Sequence, residues 1–377
     1  MLNIKKYILY FLLAFLFIIM VIYSSLCMSA AKEGLSLWIN IVFPSLFPFF
    51  IASSLLISCG AASAFGRIIS PLMRFLFKSS GESGYIMATS MLSGYPMGPR
   101  LCSQMHSKGL IDTLQVEHFL SFVNTSGPSF IIGAVASGML NNPSLGAYIA
   151  FSHFLGTILT GMLFSIRKEK VLKSDYKNDD FNIPPLGTML SEAVNSAMQT
   201  QLIIGGFIVL FSIIIKLLLN SNILQYIAGT FSYFGICKDT DILAAAFAGI
   251  FEITNSCAML AKTSAPMGTV LPLISAVISF SGFSILMQSF SLVQNTGVKF
   301  KSLLIPKIVH AIITFLLCKL IMLIFPISAL ASNIKFNYSL SFADVFINSL
   351  SYSVMYFSVI LIIVIANKIL HYSKKPA

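Results

Sequence analysis

The sequence predicts an all-α polytopic membrane protein with interrupted helices. Three observations carry that expectation. The 377 residues are 56% hydrophobic and only 10% charged, too few charges to cover a water-soluble surface. Apolar runs near the roughly 20 residues that a bilayer demands recur from end to end. Several of those runs are broken midway by Gly, Pro, Ser or Asn, where freed backbone groups need protein or a watery cavity to satisfy them.

The placement of charge orients the chain. The formal net charge is +11, and the basic residues gather at Lys5 and Lys6, at Arg167, Lys168, Lys170, Lys173 and Lys177, and at Lys374 and Lys375. Short Lys/Arg-rich loops stay cytoplasmic, which places the N-terminus, the 167–185 loop and the C-terminus on that side. A nucleic-acid partner would need a solvated basic surface, for which this chain has no room. The uncharged run from Tyr7 to Met28 exceeds the about 7–15 residues of a signal-peptide core, so residues 1–29 read as an uncleaved transmembrane helix. The six cysteines and five histidines form no metal-ligand spacing, and no Walker loop, nucleophile elbow or dinucleotide fingerprint is present. No cofactor, no metal and no enzymatic activity are expected.

Past the first span the chain resembles itself. "GYIMATSMLSGYPMGPRLCSQ" from Gly84 matches "TDILAAAFAGIFEITNSCAMLA" from Thr240 in pattern. "FVNTSGPSFIIG" faces "VISFSGFSILMQ", with Ser126-Gly127-x-Ser129 over Ser281-Gly282-x-Ser284, an offset of 282 − 127 = 155. His153 lies over His310, an offset of 310 − 153 = 157. Three matches in one order predict two related repeats, 30–166 and 186–326, joined by a cytoplasmic linker 167–185 and followed by a C-terminal helix and basic tail, 327–377. An odd number of crossings per repeat would invert one against the other, an arrangement common in transporters.

The breaks define the candidate site. Ser126-Gly127-Pro128 would end one half-helix and start another, with Pro128 in a first turn and Ser126 as a cap. Its N–H groups and positive dipole end would face a cavity, and Ser281-Gly282 would do the same from the second repeat. Two such helix starts suit an anion such as a carboxylate; the competing reading is close helix packing through small residues. Glu252, deep in an apolar stretch, would carry a proton or hold Na⁺ with Thr254 and Asn255, unless it is a neutral hydrogen-bonding residue. Arg100 would clamp a carboxylate with its two-pronged guanidinium, unless it snorkels to the interface. Tyr95, Asn124, Thr125, Ser126, Gly127, Ser129, Asn255, Ser281, Gly282, Ser284 and Gln288 complete the candidate substrate-binding set. His153 and His310 read as packing residues. Arg67–Ser80 and the stretch from Leu186 to Thr200 read as helices lying on the membrane surface.

These same residues carry a family resemblance. "SGYPMGPRLCSQMHSKGLID" with "FLSFVNTSGPSFIIGAVASGML" closely resembles the YlbJ family of sporulation integral membrane proteins, within the wider nucleoside-recognition or Gate-domain membrane group. Ser93, Gly94, Tyr95, Pro96 and Gly98 match the family's SGYPxG start, and Lys108-Gly109 its KG turn. Asn124, Ser126, Gly127, Pro128, Phe130, Ile131, Ile132 and Gly133 match the stretch that follows. Gly249, Glu252, Thr254 and Asn255 match a GxxExTNG signature, with Ser256 in place of its last Gly. Gly282, Ser284 and Gln288 match a GGxS element with a downstream Gln, Ser281 replacing the first Gly. The resemblance spans about 30–370. It implies an architecture like that of concentrative nucleoside transporters, with paired re-entrant hairpins. It also implies a role in endospore formation, moving dipicolinic acid across the outer forespore membrane. A different solute, such as a nucleoside or another carboxylate, and a non-transporting scaffold for sporulation are the competing functions. The expected partners are a small anionic molecule and the lipid bilayer; the oligomeric state is left open.

Overall fold

The computed structural model describes residues 2–59, 61–79, 81–165, 184–233 and 239–326. Every regular element among them is helical. The chain begins with α1 (Leu2–Ile22), then α2 (Ser24–Leu37), a π turn (Trp38–Val42) and α3 (Phe43–Ser58). Next come α4 (Ala61–Phe77), the pair α5 (Gly81–Ser93) and α6 (Met97–Ser107), then α7 (Thr113–Val123), a π-helical segment (Ser129–Met139) and α8 (Leu145–Ser165). A second series follows: α9 (Leu186–Asn220), α10 (Ile223–Tyr233), α11 (Thr240–Phe251), α12 (Ile253–Ala261), α13 (Met267–Phe280), α14 (Gly282–Val293) and α15 (Phe300–Ile324). The two series run in the same order: long helix, short helix, a pair split by a short break, a second split pair, and a long closing helix. Five helical stretches, Ser24–Leu56, Leu145–Ser165, Leu186–Asn220, Met267–Thr296 and Phe300–Ile324, are long and apolar enough to cross a membrane. Most of the 167–185 linker and the whole of 327–377 lie outside the described residues.

Local sequence explains where helices start. Asp112 and Gln115 form a reciprocal cap on α7: Asp112 Oδ1 accepts the Gln115 N–H at 2.7 Å, and Gln115 Oε1 accepts the Asp112 N–H at 2.8 Å. Asp239 caps α11 by accepting the N–H groups of Asp241 and Ile242. Each cap satisfies donors that a helix start leaves free.

Of the two expected surface helices, α4 buries Met73 and Phe77 and leaves Ile68, on the other side, 75% exposed. The Leu186–Thr200 stretch is not a separate surface helix. It continues without a break into the 35 residues of α9, because nothing between Leu186 and Asn220 stops a helix. At 1.5 Å per residue α9 is about 52 Å long, longer than a hydrocarbon core of about 30 Å.

Small residues set how closely the helices approach. A Cβ at Gly205 of α9 would lie 2.7 Å from the Trp38 ring, and the indole N–H donates to Gln201 Oε1 at 3.3 Å. The rings of Phe77 and Phe122 stack at 4.3 Å in the space that Gly161 of α8 leaves open. In both split pairs the arms fold back on each other through a Gly–Ser contact. A Cβ on Gly98 would lie 2.5 Å from Ser90 Oγ, and one on Gly249 would lie 2.9 Å from Ser256 Oγ. Ser256 Oγ also donates across the second pair to the Ala245 carbonyl at 2.7 Å.

Gly98→Val is therefore expected to destabilise the protein by about 1–3 kcal/mol, the range for overpacking a tight interior. The added Cβ meets the Val123 carbonyl group, which is backbone and cannot rotate away. Thermal unfolding of the detergent-solubilised variant against the parent checks this; an unchanged midpoint would mean that α6 and α7 can separate freely.

Candidate functional site

Four helix breaks converge in the structure. The first split pair turns at Gly94, Tyr95 and Pro96, with Gly94 at φ +75°. The second turns at one extended residue, Glu252, at φ −151° and ψ 129°. α7 ends at Val123 and the π-helical segment resumes at Ser129, while α13 and α14 meet at Ser281 and Gly282, both left-handed at φ +73° and +67°. Each interrupted helix packs on the turn of the neighbouring pair in its own series. A Cβ on Gly127 would lie 3.1 Å from Gly94 N, and one on Gly282 would lie 3.1 Å from the Gly249 and Phe251 carbonyl oxygens. Glycine is needed at both contacts because backbone meets backbone there.

Two adjoining cavities lie against these breaks. The inner one, about 60 Å³, has room for a few waters and is lined by Ser93, Tyr95, Ser126, Gly127, Ser129, Glu252, Thr254, Ser284 and Gln288 among apolar neighbours. The outer one, about 390 Å³, is lined by Ser93, Tyr95, Arg100, Ser196, Thr200, Gln288 and Ser291 among others. Ser93, Tyr95 and Gln288 line both.

Of the sequence-predicted residues, Tyr95, Ser126, Gly127, Ser129, Ser284, Gln288 and Glu252 border the inner cavity, and Arg100 borders the outer one. Thr254 also borders the inner cavity beside Glu252. Asn124, Thr125, Asn255, Ser281 and Gly282 do not line either cavity. Thr125 Oγ1 is instead 2.8 Å from His153 Nε2. Asn255 stands behind the carboxylate: its backbone N–H and its Nδ2 donate to Glu252 Oε2 at 2.7 and 3.0 Å, and its Oδ1 accepts from Ser212 of α9 at 2.7 Å. Glu252 is thus the N-cap of α12 as well as a cavity wall. Gly282 is spent on backbone contact, as above.

Ser126 does not cap with its side chain. Its backbone N–H donates to His153 Nε2 at 3.1 Å, which makes Nε2 the acceptor and leaves the proton on Nδ1, 2.8 Å from Ser279 Oγ. His153 therefore satisfies the break rather than merely packing. His310 Nε2 is 3.0 Å from the His153 carbonyl oxygen, and the two rings stand 4.8 Å apart.

One residue at the breaks had no sequence signal strong enough to single it out. Lys307 of α15 is 3% exposed. Its ammonium donates to the Asn124 carbonyl oxygen and, at 2.9 Å, to the Tyr95 hydroxyl. In the sequence it is one lysine among several near a helix start, "KFKSLLIPKIVHA", and only the three-residue spacing to His310 hinted at a shared inward face.

A helical, multi-pass integral membrane protein with helix breaks folded around a partly polar cavity is the class that this arrangement defines. The chain is 33% identical over 305 residues, 75% of its length, to the sporulation integral membrane protein YlbJ of Bacillus subtilis (strain 168), of which 74% is covered. It belongs to the YlbJ family of sporulation integral membrane proteins. No family model matches the chain. Among solved structures, the outward-facing state of a CNTnw double variant aligns with a TM-score of 0.48 at 11% identity, covering 81% of this chain and 85% of that one.

Two outcomes are expected from the local geometry. Glu252→Ala, which removes the α12 cap, should cost about 0.5–2 kcal/mol, whereas Glu252→Gln keeps an acceptor oxygen and should cost less. Unfolding midpoints of the two variants check the order, and equal losses would remove capping as a role. Ser281→Gly should be neutral or stabilising by up to about 1 kcal/mol, since a left-handed φ strains a residue with a Cβ; a clear loss of stability would show that the Ser281 hydroxyl outweighs that strain.

Proposed function

We propose that the protein carries a small carboxylate anion, dipicolinate, across the outer forespore membrane, with the cavities at the helix breaks as its path. The observation that carries this reading is that the two cavities share walls at Ser93, Tyr95 and Gln288. The roomier one bears Arg100, and the small one is bordered by residues of both interrupted helices. A packing role alone gives helices no reason to open into such a space. Dipicolinate presents two carboxylates on a flat pyridine. Arg100 offers a planar fork for one of them, and the hydroxyl and amide groups deeper in offer donors for the other.

Support for two inverted repeats comes from matched positions in the two series. Gly94 against Gly127 in the first corresponds to the Glu252 turn against Gly282 in the second. His153 and His310, which correspond in sequence, meet each other, as corresponding residues do at a two-fold contact. Glu252 is assigned the coupling role, carrying a proton or holding a cation, because its carboxylate borders the inner cavity.

Uptake of labelled dipicolinate into vesicles bearing the purified protein is the direct test; no uptake above protein-free vesicles would remove the reading. Arg100→Gln should lower uptake roughly tenfold, in line with the about 1.5–3 kcal/mol of a hydrogen bond to a charged group, while insertion is unchanged. Arg100→Lys should restore part of it, since a point charge lacks the fork. Wild-type uptake by Arg100→Gln would return Arg100 to a snorkelling role.

A further inference from the structure

The Lys307 ammonium is buried without a negative partner: the ion pair seen among the described residues is Lys216 with Glu33, far along the chain. Lys307 reaches from the second series into the break of the first. An ammonium has three N–H donors. Two are used, on the Asn124 carbonyl oxygen and the Tyr95 hydroxyl, and the third meets no acceptor among the described residues. The Tyr95 hydroxyl sends its own proton to the Ile278 carbonyl oxygen at 3.1 Å, so its oxygen is free to accept from Lys307. The Tyr95 ring lies 4.7 Å from the same nitrogen.

Neutral dipoles and one aromatic face offset only part of the cost of such a charge in a low-dielectric interior. More unpaired donors lie on the same two segments. The Ser93 hydroxyl and the Asn124 side-chain amide are buried with no hydrogen-bond partner. Ser93 and Tyr95 both line the inner and the outer cavity. Of these groups the Ser93 hydroxyl lines the cavities, while the Asn124 amide and the Lys307 ammonium stand behind that wall, Lys307 one hydrogen bond away through Tyr95. A group with acceptor oxygens and a negative charge would answer the Ser93 hydroxyl, the Asn124 Nδ2 and the ammonium charge, though not the Asn124 Oδ1, which is itself an unpaired acceptor.

We propose that Lys307 is the counter-charge that selects a carboxylate at this site, reached past Ser93 and Tyr95. The inference rests on the anion-transport reading above and deepens it by naming the residue that discriminates by charge. An uncharged solute of the same shape leaves the ammonium unpaired and gains nothing from it. Arg100, which is exposed at the outer cavity, meets the anion first; Lys307 acts on it from behind Tyr95, where water is scarce.

The test measures binding to the full-length protein in lipid nanodiscs by equilibrium dialysis. The probes are pyridine-2,6-dicarboxylate and its uncharged diamide. The parent protein should prefer the dicarboxylate. Lys307→Met should lose at least about thirtyfold in dicarboxylate affinity, the low end for truncating one side of a buried charge pair. Its diamide affinity should stay within about threefold. Lys307→Arg, which keeps the charge, should keep the preference. A lysine that merely props the break open would weaken both probes alike. Equal losses for the two probes, or unchanged dicarboxylate binding in Lys307→Met, overturn the proposal. Should Lys307→Met not insert, Lys307→Arg decides: diamide binding with the preference gone overturns it as well. A parent protein that binds the diamide but shows no preference for the dicarboxylate overturns the anion reading and this one together. A preference that survives in Lys307→Met overturns this one alone.

Discussion

A peptide group freed at the depth of the hydrocarbon has no water to turn to, so each N–H and C=O opened by a helix break needs a partner inside the protein. The arrangement around the first break follows from that constraint. His153 accepts the Ser126 N–H, Lys307 donates to the Asn124 carbonyl oxygen, and Gly127 lets the break lie flat on the Gly94 turn. At the second split pair, Asn255 and Glu252 satisfy one another across the single extended residue. The cavity exists because these partners hold the breaks open instead of letting the helices run through.

The partners come from unexpected places. The residues that mend the first break are supplied by α8 and α15, the closing helices of the two series. α8 and α15 touch through His153 and His310 and through Gly156, where a Cβ would meet the Thr314 hydroxyl and the His310 ring. A change at that crossing would therefore be felt at the site, although neither histidine lines a cavity. The same logic runs through α9: Ser212 bonds Asn255, and Gly34 of α2 is the glycine that lets α2 close on Ser212. Packing of α2 on α9 is thus linked through Ser212 and Asn255 to the Glu252 carboxylate.

The two series are alike in order and unlike in charge. Lys307 has as its counterpart, at the offset of the two histidines, 307 − 157 = 150, the apolar Ala150. Glu252 corresponds by its place in the fold to the Gly94–Pro96 turn, which carries no carboxylate. One series brings the negative group to the inner cavity and also sends a positive one into the other series' break. A site built this way has a polarity that a symmetric pair of helix starts alone would lack.

The sequence by itself determined the class. Low charge, recurring apolar runs and Gly/Ser/Pro interruptions fix a helical membrane protein with broken helices, since backbone satisfaction in lipid leaves few alternatives. Its motifs also singled out Tyr95, Ser126, Gly127, Ser129, Glu252, Ser284, Gln288 and Arg100, which line the cavities, because breaks and intramembrane charges are visible one residue at a time. Asn124, Thr125, Asn255, Ser281 and Gly282, singled out by the same motifs, line neither cavity. The sequence missed the extent of α9, where a polar face hid a continuous helix. Lys307 and the bonding role of His153 were decided by tertiary structure alone. Their partners are Asn124 and Tyr95 for the one, Ser126 and Ser279 for the other, and contacts over such separations depend on how helices cross, which no local pattern encodes.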